Sequence, residues 1–245
     1  TLSANTLCKR YGGIAIVCLD PGQSYLSPPS TIAAALLREP TYDLVQTKAF
    51  TILPIGSTSI SQDPEAYLNA VQRLMENVRR AGAANIVVDF DGWVEGGEAE
   101  MLKERLVQIV RPSHLIFIDC TIRGVVEAVV GWGGVVNHVK RSSYVLERSP
   151  SVRRETRSMS YSRYLKNASV RTIPLSWVKV EVLSESLSDY NSLLSKVKPD
   201  SGLLTYLAGD DDTQYHIGVT MKYDAMRRAV KVYTAMSGPV KRISF

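Results

Sequence analysis

The sequence predicts an α/β fold: a parallel sheet flanked by helices, followed by a smaller, mostly β carboxyl-terminal part. Several apolar runs lack the polar alternation of a half-exposed strand, which is typical of strands buried on both faces of a parallel sheet. Amphipathic helical patterns separate those runs. From about residue 172 onward, the patterns are those of strands without intervening helices. Together these observations favour an α/β core with a β-rich addition.

The beginning of the chain predicts one helix and two strands. Residues 1–11 are compatible with a helix, and a Gly-Gly pair separates them from the apolar run 14–19, which ends at Asp20. A second apolar run, residues 49–56, ends in Gly-Ser-Thr. Both predicted strands therefore end in small or polar groups.

The strongest helix signal comes next. Asp63 is a predicted N-cap, Pro64 suits the first helical position, and Gly82 suits the end of the helix. Apolar residues recur every three or four positions between them. Residues 85–89 then form a short apolar run ending at Asp89, residues 98–110 a second helix, and residues 113–119 another apolar strand. Alternating strands and helices predict parallel βαβ units.

The character of the sequence changes after about residue 120. Residues 121–171 lose the alternation and become first Gly-rich and then Arg-rich, which predicts a lid and a basic linker. Strand patterns follow at 175–183, 215–224 and 229–236, with a polar loop at 209–214. We therefore expect three parts: an α/β core at 1–120, the lid and linker at 121–171, and a β-rich domain at 172–245.

Composition excludes some classes of protein. The 245 residues are 45% hydrophobic and 22% charged, as in ordinary globular proteins. The most apolar stretch, from Val125 to Val136, is too short for a membrane span. No secretory leader follows Thr1, and we expect the natural amino terminus to lie upstream. Three scattered cysteines suit a reducing compartment, and neither they nor the three dispersed histidines form a metal-binding pattern.

Positive charge is concentrated in one segment. The net charge of the chain is +5, but residues 138–171, the basic segment, contain nine Lys or Arg and only two acids, a net charge of +7. Such a segment suggests a polyanionic partner. The alternative is a solvated basic helix whose arginines pair with Glu147 and Glu155.

Polar side chains follow three predicted strands. Asp20 and Gln23 follow the first, Thr58 follows the second, and Trp93 follows the strand that ends at Asp89. In open α/β sheets, ligands bind at the carboxyl ends of the strands. An acid, hydroxyl groups and an indole at this edge would suit phosphoryl transfer to a nucleic acid. The alternatives are structural: Asp20 opening a turn, Thr58 in an ordinary turn, and Trp93 in the core.

Four motifs extend this pattern to a known family. "LDPGQSYLSPPS" (19–30), "GSTS" (56–59), "DGW" (91–93) and "VLERSPSVRRETRS" (145–158) occur in the order and spacing of the polynucleotide 5′-hydroxyl-kinase family. That family includes the RNA-kinase subunit of pre-mRNA cleavage factor II and the nucleolar pre-rRNA-processing kinase. Residues 216–243 are similar to its closing β segment. The resemblance implies a P-loop-kinase-like fold.

The resemblance also implies roles for residues. Asp20 matches the Walker-B-like acid that orients or deprotonates an RNA 5′-hydroxyl near Mg²⁺. Thr58 matches a hydroxyl near the transferred phosphate, and Trp93 an indole that stacks on the terminal base. Arg148 and Arg153 match two lid arginines that hold the triphosphate of ATP.

Two further positions are assigned in the same way, and others depart from the family. Gln23 belongs to the Asp20 motif, and Thr1 aligns near the last hydroxyl residue of the P-loop. The P-loop itself, Gly-x-x-x-x-Gly-Lys-[Ser/Thr], does not occur in these 245 residues. Either it precedes Thr1 or it has been lost. Cys18 replaces an acid of many relatives, and "DFDGW" replaces Asn-Thr-x-Gly-Trp.

The resemblance therefore predicts an ATP- and Mg²⁺-dependent RNA 5′-hydroxyl kinase in RNA processing, located in the nucleus and bound to other protein subunits. The first alternative is a catalytically degenerate, kinase-like scaffold subunit of an RNA-processing complex. The second is a general single-strand binder, whose affinity would fall steeply with salt and would not depend on a 5′-hydroxyl end.

Overall fold

The structure, a computed structural model, describes residues 1–146, 148–183, 190–198 and 202–245. The α-helices in this part are α1 (Leu2–Tyr11), α2 (Pro64–Arg80), α3 (Gly97–Val110), α4 (Arg123–Gly131), α5 (Pro150–Tyr164) and α6 (Tyr190–Ser195). The strands are β1 (Ile14–Cys18), β2 (Thr31–Leu37), β3 (Ala49–Pro54), β4 (Ile86–Asp89), β5 (His114–Ile118), β6 (Val135–Val139), β7 (Ser169–Pro174), β8 (Lys179–Glu181), β9 (Leu203–Ala208), β10 (Tyr215–Asp224), β11 (Ala229–Thr234) and β12 (Arg242–Ser244).

The first sheet has the order β3-β2-β1-β4. Every residue of β1 is buried, as its unbroken apolar run predicts. β1 and β4 are parallel, whereas β2 is antiparallel to both β1 and β3. The expected parallel βαβ pairing thus holds for β1 and β4, but the sheet is mixed because β2, which the sequence analysis did not predict, lies between β1 and β3.

Helix α2 begins as predicted. The Asp63 carboxylate accepts a hydrogen bond from the Ala66 amide at 3.0 Å, and Pro64 occupies the first turn. The helix buries an apolar face that includes Tyr67, Val71 and Leu74 against the sheet.

The alternation of strands and helices continues beyond residue 120. β5 and β6 are parallel to each other, α4 connects them, and α5 occupies the middle of the basic segment. The expectation that alternation ends at residue 120 is therefore wrong. The sequence analysis missed α4 because residues 124–134 are Gly-rich. This short helix buries only Val125 and Val129.

The carboxyl-terminal part is β-rich, as expected, and its strands form a second large sheet with the order β7-β11-β10-β9-β12-β8. The predicted strands at 215–224 and 229–236 correspond to β10 and β11. The predicted strand at 175–183 is instead a 3₁₀ turn at Leu175–Trp177 followed by the short β8. Tyr206, Tyr215 and Ile217 of this sheet belong to the same apolar cluster as α2 and β1, so one core extends across both regions.

Six of the described strands have a hydrogen-bonded neighbour strand on one side only, and β4 and β5 are among them. β4 lies at the end of the first sheet, and β5 pairs with β6 alone. β5 exposes 61% of Ile116 and 58% of Ile118. Among the described residues, no helix is both long and apolar enough to cross a bilayer.

Candidate active site

The loop after β1 fixes a carboxylate at the carboxyl end of the strand. The Asp20 Oδ1 atom accepts hydrogen bonds from the backbone amides of Gly22 at 2.8 Å and Gln23 at 3.0 Å. A Cβ atom at Gly22 would lie 2.9 Å from the Thr58 carbonyl oxygen and 3.2 Å from Asp20 Oδ1. Only glycine therefore lets the loop after β3 approach the Asp20 turn this closely.

The end of β4 lies beside the end of β1. Cys18 pairs with Asp89, and the Leu19 amide donates to the Asp89 carbonyl oxygen at 2.9 Å. The next turn is held by the Asp91 carboxylate, whose Oδ1 accepts the Trp93 amide hydrogen at 2.9 Å. The indole of Trp93 is thereby placed beside the Asp20 loop.

Helix α5 contributes two arginines. Arg153 and Arg157 are one turn apart on its inward side, and Tyr161 lies one turn further along the same side. The Tyr161 hydroxyl is 3.2 Å from Ser30 Oγ, which also accepts a hydrogen bond from the Tyr206 hydroxyl at 2.8 Å. This hydroxyl cluster (Ser30, Tyr161 and Tyr206) joins the loop after β1, the basic helix and β9.

The segments converge on one cleft of about 380 Å³. Its lining residues come from the loops after β1, β3 and β4 and from α5: Asp20, Pro21, Gly22, Gln23, Thr58, Ser59, Ile60, Ser61, Asp91, Gly92, Trp93, Arg153 and Arg157.

Five of the seven residues singled out from the sequence line this cleft: Asp20, Gln23, Thr58, Trp93 and Arg153. The other two are Arg148 and Thr1. Arg148 is exposed in the loop before α5, and Thr1 is exposed at the start of α1, where its side chain makes no capping hydrogen bond. Neither is among the lining residues.

The sequence analysis did not identify Arg157, Asp91 and Lys103 as site residues. Arg157 could have been found, because it follows Arg153 by four residues in a predicted basic helix. Asp91 was noted only as a departure from the family. Lys103 pairs with Asp91 from α3 and gives no signal in the sequence.

Electrostatics distinguish the two strand-end acids from ordinary surface carboxyls. Burial raises the pKa of Asp20, and the nearby Asp91 charge acts in the same direction, whereas the two amide hydrogen bonds and Lys103 oppose the shift. Removal from water also raises the pKa of Asp89, with repulsion from Asp20 adding to it. The Tyr25 side chain opposes that shift.

Replacing Tyr161 with phenylalanine is expected to loosen α5 without unfolding the protein. No residue of α5 is fully buried, and its partly buried Tyr161 and Tyr164 pack against the core, so the hydroxyl contact of Tyr161 with Ser30 is one of few anchors of this helix. One hydrogen bond contributes about 1 kcal/mol, which corresponds to roughly fivefold faster amide exchange in α5. Hydrogen exchange measured by mass spectrometry tests this.

Tyr164→Phe is the matched control for this substitution. The Tyr164 hydroxyl accepts a hydrogen bond from the neighbouring Arg163 of the same helix. Its removal should leave exchange in α5 nearly unchanged. Equal exchange rates in both variants would contradict the anchoring role of Tyr161.

Comparison with known proteins identifies relatives of this chain. The family described as mRNA cleavage and polyadenylation factor CLP1 P-loop matches residues 1–167. A polyribonucleotide 5′-hydroxyl-kinase of Thermococcus kodakarensis is 28% identical over 209 residues, which cover 80% of this chain and 57% of that kinase. Polynucleotide 5′-hydroxyl-kinase grc3 of Schizosaccharomyces pombe is 26% identical over 129 residues, covering 47% of this chain and 17% of that protein. The chain thus spans little more than half the length of the Thermococcus kodakarensis kinase.

Solved structures also resemble the fold. A chain in the structure of the wild-type Clp1p–Pcf11p complex superposes with a TM-score of 0.70 at 12% sequence identity. The match covers 98% of this chain and 69% of that one. The predicted α/β fold with a β-rich carboxyl-terminal part is confirmed.

Proposed function

Because this chain belongs to the mRNA cleavage and polyadenylation factor CLP1 P-loop family, we propose that it forms the core of an ATP-dependent RNA 5′-hydroxyl kinase acting in RNA processing. The membership confirms the resemblance that the four motifs predicted. The observation that carries the proposal is the cleft, where an acid, a hydroxyl, an indole and two arginines meet from four separate segments.

Each group in the cleft suits one part of the transfer. The Asp20 carboxylate orients the ribose 5′-hydroxyl and accepts its proton. The hydroxyl oxygen then forms a bond to the γ-phosphorus of ATP in line with the breaking bond to the bridging oxygen, and ADP leaves. Arg153 and Arg157 stabilise the charge on the transferring phosphoryl group, and Thr58 offers it a hydroxyl.

Trp93 supplies the surface for the terminal base. Its indole packs against the core on one side and lines the cleft on the other. Stacking of a base on an aromatic ring contributes about 1 to 3 kcal/mol and tolerates any base. Recognition of the RNA end would therefore depend on the position of the hydroxyl rather than on sequence.

The acid in the cleft also fits a magnesium ion. Both backbone donors to Asp20 bind Oδ1, and within the described ranges Oδ2 accepts no hydrogen bond, so the two lone pairs of Oδ2 are available to the 5′-hydroxyl and to a cation. Mg²⁺ is commonly held by one or two carboxylates together with the phosphates of a substrate. When bound, the ion supplies charge neutralisation at the phosphates. Thr1 and a P-loop of the family pattern would hold the phosphates from the other side.

A phosphoryl-transfer assay tests the proposal. The natural full-length protein should move labelled phosphate from ATP to an RNA oligonucleotide with a 5′-hydroxyl, and not to one with a 5′-phosphate. Arg153→Ala should lower kcat about 100-fold or more, because a positioned arginine stabilises the transition state of phosphoryl transfer.

Arg154→Ala is the matched control for Arg153→Ala. Arg154 is adjacent and exposed, and it does not line the cleft, so its removal should change kcat little. Equal losses in both variants would contradict the role given to Arg153. The same comparison with Arg148→Ala measures whether that residue enters the cleft when ATP is present.

A kinase-like scaffold subunit is the second candidate. Asp89 and Phe90 stand where the family pattern has Asn and Thr, and this substitution beside the cleft favours loss of catalysis. Full-length protein that is folded and binds RNA but transfers no phosphate would establish the scaffold and exclude the kinase. In both cases we propose a nuclear location and subunits of an RNA-processing complex as partners. A tagged protein that is cytosolic and purifies alone would contradict both.

A further inference from the structure

A buried ion pair lies behind the cleft. The Lys103 ammonium of α3 contacts the Oδ2 atom of Asp91, and the two side chains are 7% and 5% exposed, respectively. Lysine is almost never buried to this extent unless it is paired. A buried ion pair is weak evidence for stability, because desolvation of two charges offsets most of their attraction. A gain in stability therefore does not explain why this pair is buried beside the cleft.

The two oxygens of Asp91 have different partners. Oδ2 faces Lys103, whereas Oδ1 accepts the amide hydrogen of Trp93 at 2.9 Å. Lys103 therefore contacts one oxygen of the Asp91 carboxylate, while the other oxygen holds the turn. That turn positions the Trp93 indole. Lys103 itself is not among the residues that line the cleft, so it reaches the cleft only through Asp91.

We propose that Asp91 is a positioning residue for Trp93: its Oδ1 atom holds the turn that presents the indole to the terminal base of a single-stranded RNA, and Lys103 neutralises the buried charge of its carboxylate. This inference rests on the proposed function, since it takes the RNA end as the ligand of Trp93. It also explains how an acid can be tolerated beside a polyanion, because Lys103 neutralises Asp91.

Two charge-neutral double variants separate positioning from charge. D91N/K103M keeps an oxygen that can accept the Trp93 amide hydrogen, whereas D91A/K103M removes it. The dissociation constant of a 3′-labelled RNA oligonucleotide with a 5′-hydroxyl is measured for the full-length protein by fluorescence anisotropy. W93A and the triple variant D91A/K103M/W93A complete a thermodynamic cycle.

We expect D91N/K103M to bind within about threefold of the wild type and D91A/K103M about tenfold more weakly, the size of one lost stacking contact. W93A should lose about as much, and the triple variant no more than W93A. Equal affinity of the two double variants, or full additivity with W93A, would overturn the inference.

Three other outcomes are also decisive. If the alanine variant does not fold, a loss beyond tenfold in folded D91N/K103M contradicts positioning, because its acceptor is retained. Wild-type protein that fails to bind RNA would overturn the proposed function, and this inference with it. Wild-type protein that binds RNA while both double variants match it would overturn the inference alone.

Discussion

Asp20→Asn is expected to abolish phosphoryl transfer while increasing the free energy of unfolding at neutral pH. The amide cannot accept the proton of the 5′-hydroxyl, and loss of a general base costs about 100- to 10,000-fold in kcat. The amide oxygen can still accept the hydrogen bonds of Gly22 and Gln23, so the turn should persist. The KM for RNA should change little.

The gain in stability follows from the raised pKa of Asp20. A carboxyl whose pKa is higher in the folded than in the unfolded state favours folding when protonated, and this contribution is lost as the pH rises through the folded pKa. At pH 7 the ionised Asp20 therefore opposes folding, and neutral asparagine removes that cost. Urea unfolding should show a gain at pH 7 that shrinks towards pH 4.

Asp43→Asn is the matched control for Asp20→Asn. Asp43 also accepts a backbone hydrogen bond, from the Val45 amide at 2.9 Å, but it is exposed and lies outside the cleft. It should leave kcat unchanged. If Asp20→Asn retained most of kcat, Asp20 would not be the base. If the free energy of unfolding gained by Asp20→Asn relative to wild type were smaller at pH 7 than at pH 4, burial of the ionised Asp20 would not oppose folding.

Lys103→Met alone should destabilise the protein by about 3 to 5 kcal/mol, since it leaves the buried Asp91 carboxylate without its partner. Adding Asp91→Asn removes the uncompensated charge and should restore most of the loss. Urea unfolding of wild type, the single variant and the double variant measures both changes.

Arg105→Met provides the comparison on the same helix. Arg105 forms an ion pair with Glu65, but both side chains are more than half exposed. Solvent screens such a pair, so its loss should change the free energy of unfolding little. An equal effect of Arg105→Met and Lys103→Met would show that burial of the Asp91 pair has no special energetic consequence.

The local patterns predicted the strand ends of the site because a short stretch of sequence marks each strand end. Asp20 follows an apolar run, Thr58 follows a second, and Trp93 follows a third, and the carboxyl ends of β1 and β4 then meet because these strands are parallel. Strand β2 was missed because its alanines lack the β-branched and aromatic character of typical strands.

Contacts between distant parts of the chain could not be predicted in this way. The hydroxyl cluster joins Ser30 to Tyr161 and Tyr206, which are 131 and 176 residues away. Lys103 occupies an ordinary position in a helical pattern, and only the packing of α3 makes it a buried partner. Such residues become visible when the elements are packed together, because nothing in their local sequence marks them.

The one-sided strands β4 and β5 have a consequence for how this chain behaves in concentrated solution. A strand edge with unpaired amide and carbonyl groups is a template for pairing with another molecule, and the exposed isoleucines of β5 make such pairing favourable. Where nothing covers these edges, the 245-residue chain should self-associate as its concentration rises. The two edges thus make the solubility of this chain depend on what pairs with them.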